Sequence, residues 1–272
     1  MTNVETWALD QVATRALVDG LIALHLADGI PEPADVVDGA LTLTVWPLAH
    51  QVVRFSKAAL ALVDAGSGHE AHVLIRAAIE HTITAHYLTE LGEDGAAAWV
   101  DAQSVQVDRT INLSMASMPL DENMRAEVMT QAEAVEEKSA LDGFLDICRE
   151  LDVLPLYSWW ALESTFVHAT STTQNVFMRT LDGGTVLCWE PLTAEQTARD
   201  IVSSFALLLM WNASTLDRLW KQPRNAEHPA EISTTVGRPS TLPSRIAKHG
   251  GYSKQKARSK GWQPNRAAQA ES

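Results

Sequence analysis

Apolar positions recur at helical spacing through most of the chain. Between Val4 and Leu26 they fall at Leu9, Val12, Ala13, Ala16, Leu17, Leu21 and Leu24, the pattern of a helix with one buried stripe. Gly29-Ile30-Pro31-Glu32-Pro33 interrupts it. Helical periodicity resumes from Ala34 to Asp64, with a kink expected at Pro47, whose ring removes a backbone donor and crowds the preceding turn. Gly66-Ser67-Gly68 ends that segment, and Ser67 with Glu70 has the spacing of a capping box opening a third helix to Leu91, with Gly92 as its stop. Two further helices, Ala96 to Met118 and Glu122 to Leu151, flank Pro119, the second with a solvated acidic face at Glu133, Glu136 and Glu137. Pro155 stands at the start of a helix from Leu156 to about Thr170. Asp182-Gly183-Gly184 is a strong turn, after which Thr185 to Trp189 is a short strand or a loop. Thr193 and Gln196 repeat the capping-box spacing and open a last helix to Trp220.

Beyond Pro223 the apolar periodicity stops, and Pro, Gly, Ser, Lys and Arg dominate. Such a composition buries too little surface to offset ordering entropy. The expected fold class is therefore all-α: an antiparallel bundle of six or seven helices over residues 1–222, followed by a basic, disordered C-terminal tail over 223–272.

Composition changes this picture mainly through charge. The net charge of −13 divides unevenly: residues 224–272 carry nine Lys/Arg against three Glu, or +6, leaving −19 on the remainder. A body so acidic repels a polyanion over most of its surface, so contact with RNA requires a local basic site or the tail. The tail mixes Lys and Arg with Tyr252 and Trp262, which suits phosphate contact with base stacking, and equally suits a solvated tail without specific role. The longest apolar run near the end of the helical region, Phe205 to Trp211, is far below the roughly 18 residues of a membrane span. The start of the chain has acidic residues and no basic signal-type segment. Cys148 and Cys188 lack metal-ligand spacing, and two lone thiols fit a reducing compartment, so a cytoplasmic location is expected.

Two polar constellations interrupt otherwise apolar helices. In AHVLIRAAIEHTITAHYLTEL, Arg76 and Glu80 are four apart, and Tyr87 lies seven beyond Glu80 on the same face. Apolar neighbours nearly all round place this helix inside the bundle. An ion pair buried there contributes little net stability, so it either serves function or fixes helix register. In LYSWWALESTFVHATSTT, Tyr157, Ala161, Ser164 and His168 follow a helical 4-3-4 spacing. His168 is suited to acid–base chemistry near neutrality, or to a hydrogen bond within the core.

Metal and nucleophilic chemistry are disfavoured, and no cofactor is expected. His69-Glu70-x-His72 lacks the four-residue histidine spacing of zinc proteases, and the central helices carry no E-x-x-H pair. His25, His50, His81, His86 and His168 converge only if the fold brings them together. A G-x-S-x-G elbow is absent.

Helices with R-x3-E followed by Y-x6-S-x3-H resemble a group of bacterial all-helical proteins of unknown function, over about residues 40–220. Through them the chain resembles the HEPN-like helical superfamily of phage-defence and toxin systems. The matching residues are Arg76, Glu80, Tyr157, Ser164 and His168, and Arg76 to His81 fits the R-x4-6-H pattern of HEPN ribonucleases. The chain departs from that pattern at Ala77, where a polar residue is usual, and in carrying the motif early. At about 100° per residue, Arg76 and His81 also lie about 140° apart around their helix. The resemblance implies metal-independent RNA cleavage, with His81 or His168 moving the proton and Arg76, beside Glu80, stabilising the phosphorane. Ser164, Tyr157 and Tyr87 would then position the substrate, and a homodimer would complete the site. The other class the residues allow is a non-catalytic helical scaffold or small-ligand sensor in which the same polar groups lock the core.

Overall fold

A computed structural model describes residues 11–27, 33–34, 39–116, 121–126, 143–168, 176–181, 184–187, 194–221, 229–230, 233–234 and 238–243. The α-helices whose bounds are described are α1 (Gln11–Ala27), α2 (Gly39–Asp64), α3 (His72–Leu91), α4 (Glu93–Ala116), α5 (Phe144–Glu150), α6 (Leu154–Val167) and α7 (Ala194–Asp217). A two-stranded antiparallel hairpin, β1 (Met178–Leu181) and β2 (Gly184–Leu187), lies between α6 and α7. The all-α class holds, with the hairpin as an appendage.

The central element is α3, which packs against α2, α4, α5, α6 and α7. Its buried residues Ile75, Ala78, Ile79, Thr82, Ile83 and Leu88 spread over most of the circumference, as an internal helix requires. One side of the core is closed by Ile201, Phe205, Leu208 and Leu216 of α7, with Val18, Leu21 and Ile22 of α1 nearby. Where the chain leaves α1, Ala34 N–H donates to the Leu219 carbonyl at 2.8 Å, tying that connection to the end of α7.

Local signals were met in part. Helix α2 runs unbroken through Pro47. The carbonyl deprived of a donor belongs to Leu43, an exposed residue, so solvent can serve it. Ser67 makes no capping hydrogen bond; a 3-10 turn, Gly68–Ala71, precedes α3 instead. Gly92 ends α3 at φ 68° and ψ −154°, a conformation open essentially to glycine alone. The long helix expected from Glu122 to Leu151 is described only at its two ends, 122–126 and α5. Glu133, Glu136, Glu137, Cys188 and Thr193 lie outside the described residues. In the hairpin, Leu181 pairs with Gly184, leaving Asp182-Gly183 between the strands, the dipeptide that two-residue hairpins favour.

The stretch beyond residue 223 contains a packed segment. Trp211 Nε1 donates to the Pro239 carbonyl at 2.9 Å, Ser214 Oγ to that of Ser240 at 2.6 Å, and His86 Nε2 to that of Pro243 at 3.3 Å. Leu242 is only 5% exposed. Composition concealed this because the strap has no periodic apolar stripe; side chains of α3 and α7 satisfy its carbonyls. Residues 238–243 thus pack on α3 and α7, while the basic segment with Tyr252 and Trp262 lies outside the described residues.

Candidate functional site

Residues His72, Arg76 and Glu80 repeat every fourth position of α3 and so form one row along the helix. Facing them is α6, which Pro155 opens and which follows α5 after a tight turn. Asp152 occupies the left-handed region there, at φ 58°, a conformation that aspartate tolerates better than most residues. The result is a ladder of three rungs between two helices.

In the middle rung, Arg76 Nε donates to Ser164 Oγ at 2.8 Å, and Ser164 Oγ donates back to the Trp160 carbonyl at 2.9 Å. The guanidinium carbon lies 4.7 Å from the centroid of a Trp160 ring, a cation–π contact of about 0.5–2 kcal/mol. In the next rung Trp160 Nε1 donates to Glu80 Oε2 at 3.3 Å. Arg76 and Glu80 are half-buried and, among the described residues, form no direct ion pair; the indole links both. The sequence expectation of a buried pair is corrected accordingly. Desolvating a close ion pair is costly, whereas an indole offers its face to the cation and its N–H to the carboxylate.

The third rung was missed. His72 Nδ1 lies 2.6 Å from Glu163 Oε2, and Trp159 Nε1 donates to Glu163 Oε1 at 3.0 Å. Glu163 is 5% exposed. Phe166 stacks on His72 at 4.2 Å between centroids, and His69 meets Phe166 and Phe177 edge-on. Burial, then the neighbouring His72, lowers the pKa of His69. The signal lay in the sequence: His72 stands one turn before Arg76, and Glu163 is a lone acid among apolar and aromatic residues, four after Trp159.

The remaining candidates distribute unevenly. Tyr157 joins the ladder, stacked on Trp160 at 5.6 Å with Phe144 of α5 against both rings. Tyr87 is 1% exposed and donates to Glu150 Oε2 at 2.8 Å, so it anchors α5 and has no surface to offer a ligand. His81 turns towards α2: its Nδ1 donates to the Ala77 carbonyl at 2.8 Å and its ring meets Phe55 at 5.4 Å. The helix-wheel separation from Arg76 accounts for that. His168 caps the C-terminal end of α6, exposed, with its backbone N–H on the Ser164 carbonyl.

Among the described residues, histidines converge elsewhere only as a pair. His25 Nε2 and His50 Nδ1 are 3.1 Å apart, with Trp46 stacked on His50 at 4.6 Å. Burial, then Arg54, lowers the pKa of His50. His86 is enclosed, its Nδ1 3.2 Å from Thr215 Oγ1, and burial lowers its pKa. Burial pushes the Cys148 thiol up to about 12, leaving it unreactive near neutrality. Among the described residues, no three His, Cys, Asp or Glu side chains are placed to hold a metal ion.

A family model described as a family of unknown function, DUF5677, matches residues 45–185. The chain belongs to that family. The DUF5677 match runs from α2 to β2, so all three rungs of the α3–α6 ladder fall within it. No curated protein and no solved structure matches the chain. The protein is thus an all-helical member of DUF5677, and no helix among its described residues is long and apolar enough to cross a membrane.

Proposed function

We propose that the α3–α6 ladder grips a phosphate of RNA, and that the protein works as a metal-independent ribonuclease or RNA-binding protein of a defence or toxin system. One observation carries this reading. Arg76 is fixed through Nε alone, and its two terminal nitrogens have no partner among the described residues. A guanidinium held from one side and backed by an indole is a planar, pre-oriented fork for two oxygens of a phosphate. Tyr157, Trp160 and Phe144 border it with aromatic surface suited to a nucleobase. With a net charge of −13, the chain gains little from long-range attraction to RNA, so affinity must come from a local grip such as this one or from the basic tail.

The test is binding of a short single-stranded RNA, followed by fluorescence anisotropy over a range of salt concentrations. A charge-assisted hydrogen bond contributes about 1.5–3 kcal/mol, so Arg76→Ala should weaken binding at least about tenfold. It should also flatten the salt dependence by about 0.7 in log–log slope, the value of one single-strand phosphate contact. Unchanged affinity in a folded R76A variant excludes the reading. The scaffold or small-ligand-sensor alternative draws support from the Ser164 and Trp160 bonds, which also clamp α3 to α6. On that view R76A lowers thermal stability and RNA binding is absent from the wild type as well.

A further inference from the structure

We propose that His72, oriented by Glu163, is the proton-transfer group of the α3–α6 ladder, in place of either histidine that the family resemblance implied. The inference rests on the reading that Arg76 holds an RNA phosphate, and it deepens that reading by naming the reaction's base. His72 and Arg76 stand four apart on α3, a separation of about 5–6 Å between Cβ atoms. Their partners, Glu163 and Ser164, are consecutive on α6. The dyad and the guanidinium therefore occupy adjacent rungs.

The chemistry of the dyad follows from its hydrogen bonds. A carboxylate only accepts, so the 2.6 Å contact requires the proton on His72 Nδ1. In the neutral imidazole the lone pair is then on Nε2, which has no partner among the described residues. Trp159 Nε1 holds the second oxygen of Glu163 at 3.0 Å, and Phe166 stacks on the imidazole of His72. The ring retains some access to solvent, its side chain being 12% exposed. An imidazole with fixed tautomer and orientation, backed by a buried carboxylate, is the arrangement that general-base catalysis needs. His81 lacks it, since its Nδ1 is spent on the Ala77 carbonyl and its ring lies against α2.

The step is an internal transesterification. His72 Nε2 takes the proton of a ribose 2′-hydroxyl, and the 2′-oxygen forms a bond to the adjacent phosphorus. The bond from phosphorus to the 5′-oxygen breaks with its electron pair, and that oxygen takes a proton from solvent water. The imidazolium returns its proton to solvent. The products are a 2′,3′-cyclic phosphate and a free 5′-hydroxyl, with Arg76 opposing the charge that builds on the phosphorane oxygens.

The experiment follows cleavage and binding of one short single-stranded RNA, in chelator, beside the same strand with every ribose 2′-deoxy. The wild type should cut the RNA to cyclic-phosphate ends and leave the deoxy strand intact. His72→Gln should slow cleavage at least about 100-fold, the lower end for loss of a general base, with affinity within about twofold. Glu163→Gln is the second variant: its amide still accepts from Trp159 but donates to His72, moving the imidazole proton to Nε2. It should also lower kcat while leaving affinity and the helical circular-dichroism signal in place. RNA that binds to the wild type and is not cut overturns the assignment of His72 and leaves the phosphate grip standing. Cleavage at the wild-type rate by both folded variants overturns it too. A wild type that binds no RNA overturns both.

Discussion

Replacing Glu163 with alanine tests whether the buried rung is as tightly held as its geometry says. The carboxylate is 5% exposed and accepts from His72 at 2.6 Å and Trp159 at 3.0 Å. Alanine strands both donors. Each buried, unsatisfied polar group costs about 1–3 kcal/mol. Both rings keep some solvent access, so the lower half of that range applies, and two groups together cost about 3 kcal/mol with the lost methylene packing. For a domain of this size that is a fall in Tm of roughly 6–12 °C. Glutamine behaves differently, because its oxygen still serves Trp159 and its amine serves a tautomerised imidazole; about 1 kcal/mol is expected. Urea denaturation followed by far-ultraviolet circular dichroism measures both. The double variant with His72→Ala should show a coupling of about 1–2 kcal/mol, as for directly bonded side chains. If E163A unfolds within about 0.5 kcal/mol of the wild type, the rung is solvated and plays no such part.

Acid should destabilise the protein at mildly low pH, because burial lowers the pKa of His50, His69 and His86. Below an unfolded value of about 6.5 the unfolded chain binds protons that the folded chain refuses, so stability falls as pH drops. Tm should decline from pH 7.5 to 5, and a flat profile contradicts the burial of these rings. A chain stopped after Pro243 should melt like the full protein. One stopped after residue 237 loses Leu242 and the acceptors of Trp211, Ser214 and His86, and should lose about 2 kcal/mol after the saving in ordering entropy. Equal melting of the two truncations would mean that the strap contributes nothing.

The helices were legible because their periodicity is strong, and α3 was recognisable as internal because apolar residues surround it on nearly every side. Spacing also placed Arg76 and Glu80 on one face of α3, where Arg76 meets Ser164 and Glu80 meets Trp160 of α6. What spacing could not supply was pairing between distant segments. His72 was read together with His69 and Glu70 as a failed metal motif, whereas its partner is Glu163, 91 residues on. Tyr87 shares the face of Arg76 in a helical projection, yet further along the helix that face meets α5 and is sealed. The strap at 238–243 escaped notice for a related reason: it is held by hydrogen bonds to its backbone, which leave no trace in side-chain composition.

A ladder of polar groups between two helices can serve as a clasp or as a site, and the open valences distinguish them. A clasp selected for register alone should close its hydrogen bonds inward, since every unsatisfied buried group weakens it. Here each rung is anchored through one atom and leaves another without a partner among the described residues: Nε2 of His72, the terminal nitrogens of Arg76 and Oε1 of Glu80. These atoms belong to one row of α3, at four-residue intervals. The anchoring bonds supply the rigidity that a reactive group needs, because a side chain already fixed loses little entropy when a ligand arrives. The open donors of Arg76 and the open ring nitrogen of His72 are what the proposed phosphate and its neighbouring 2′-hydroxyl would require, whereas Glu80 Oε1 can only accept and so suits a hydroxyl and not an anion.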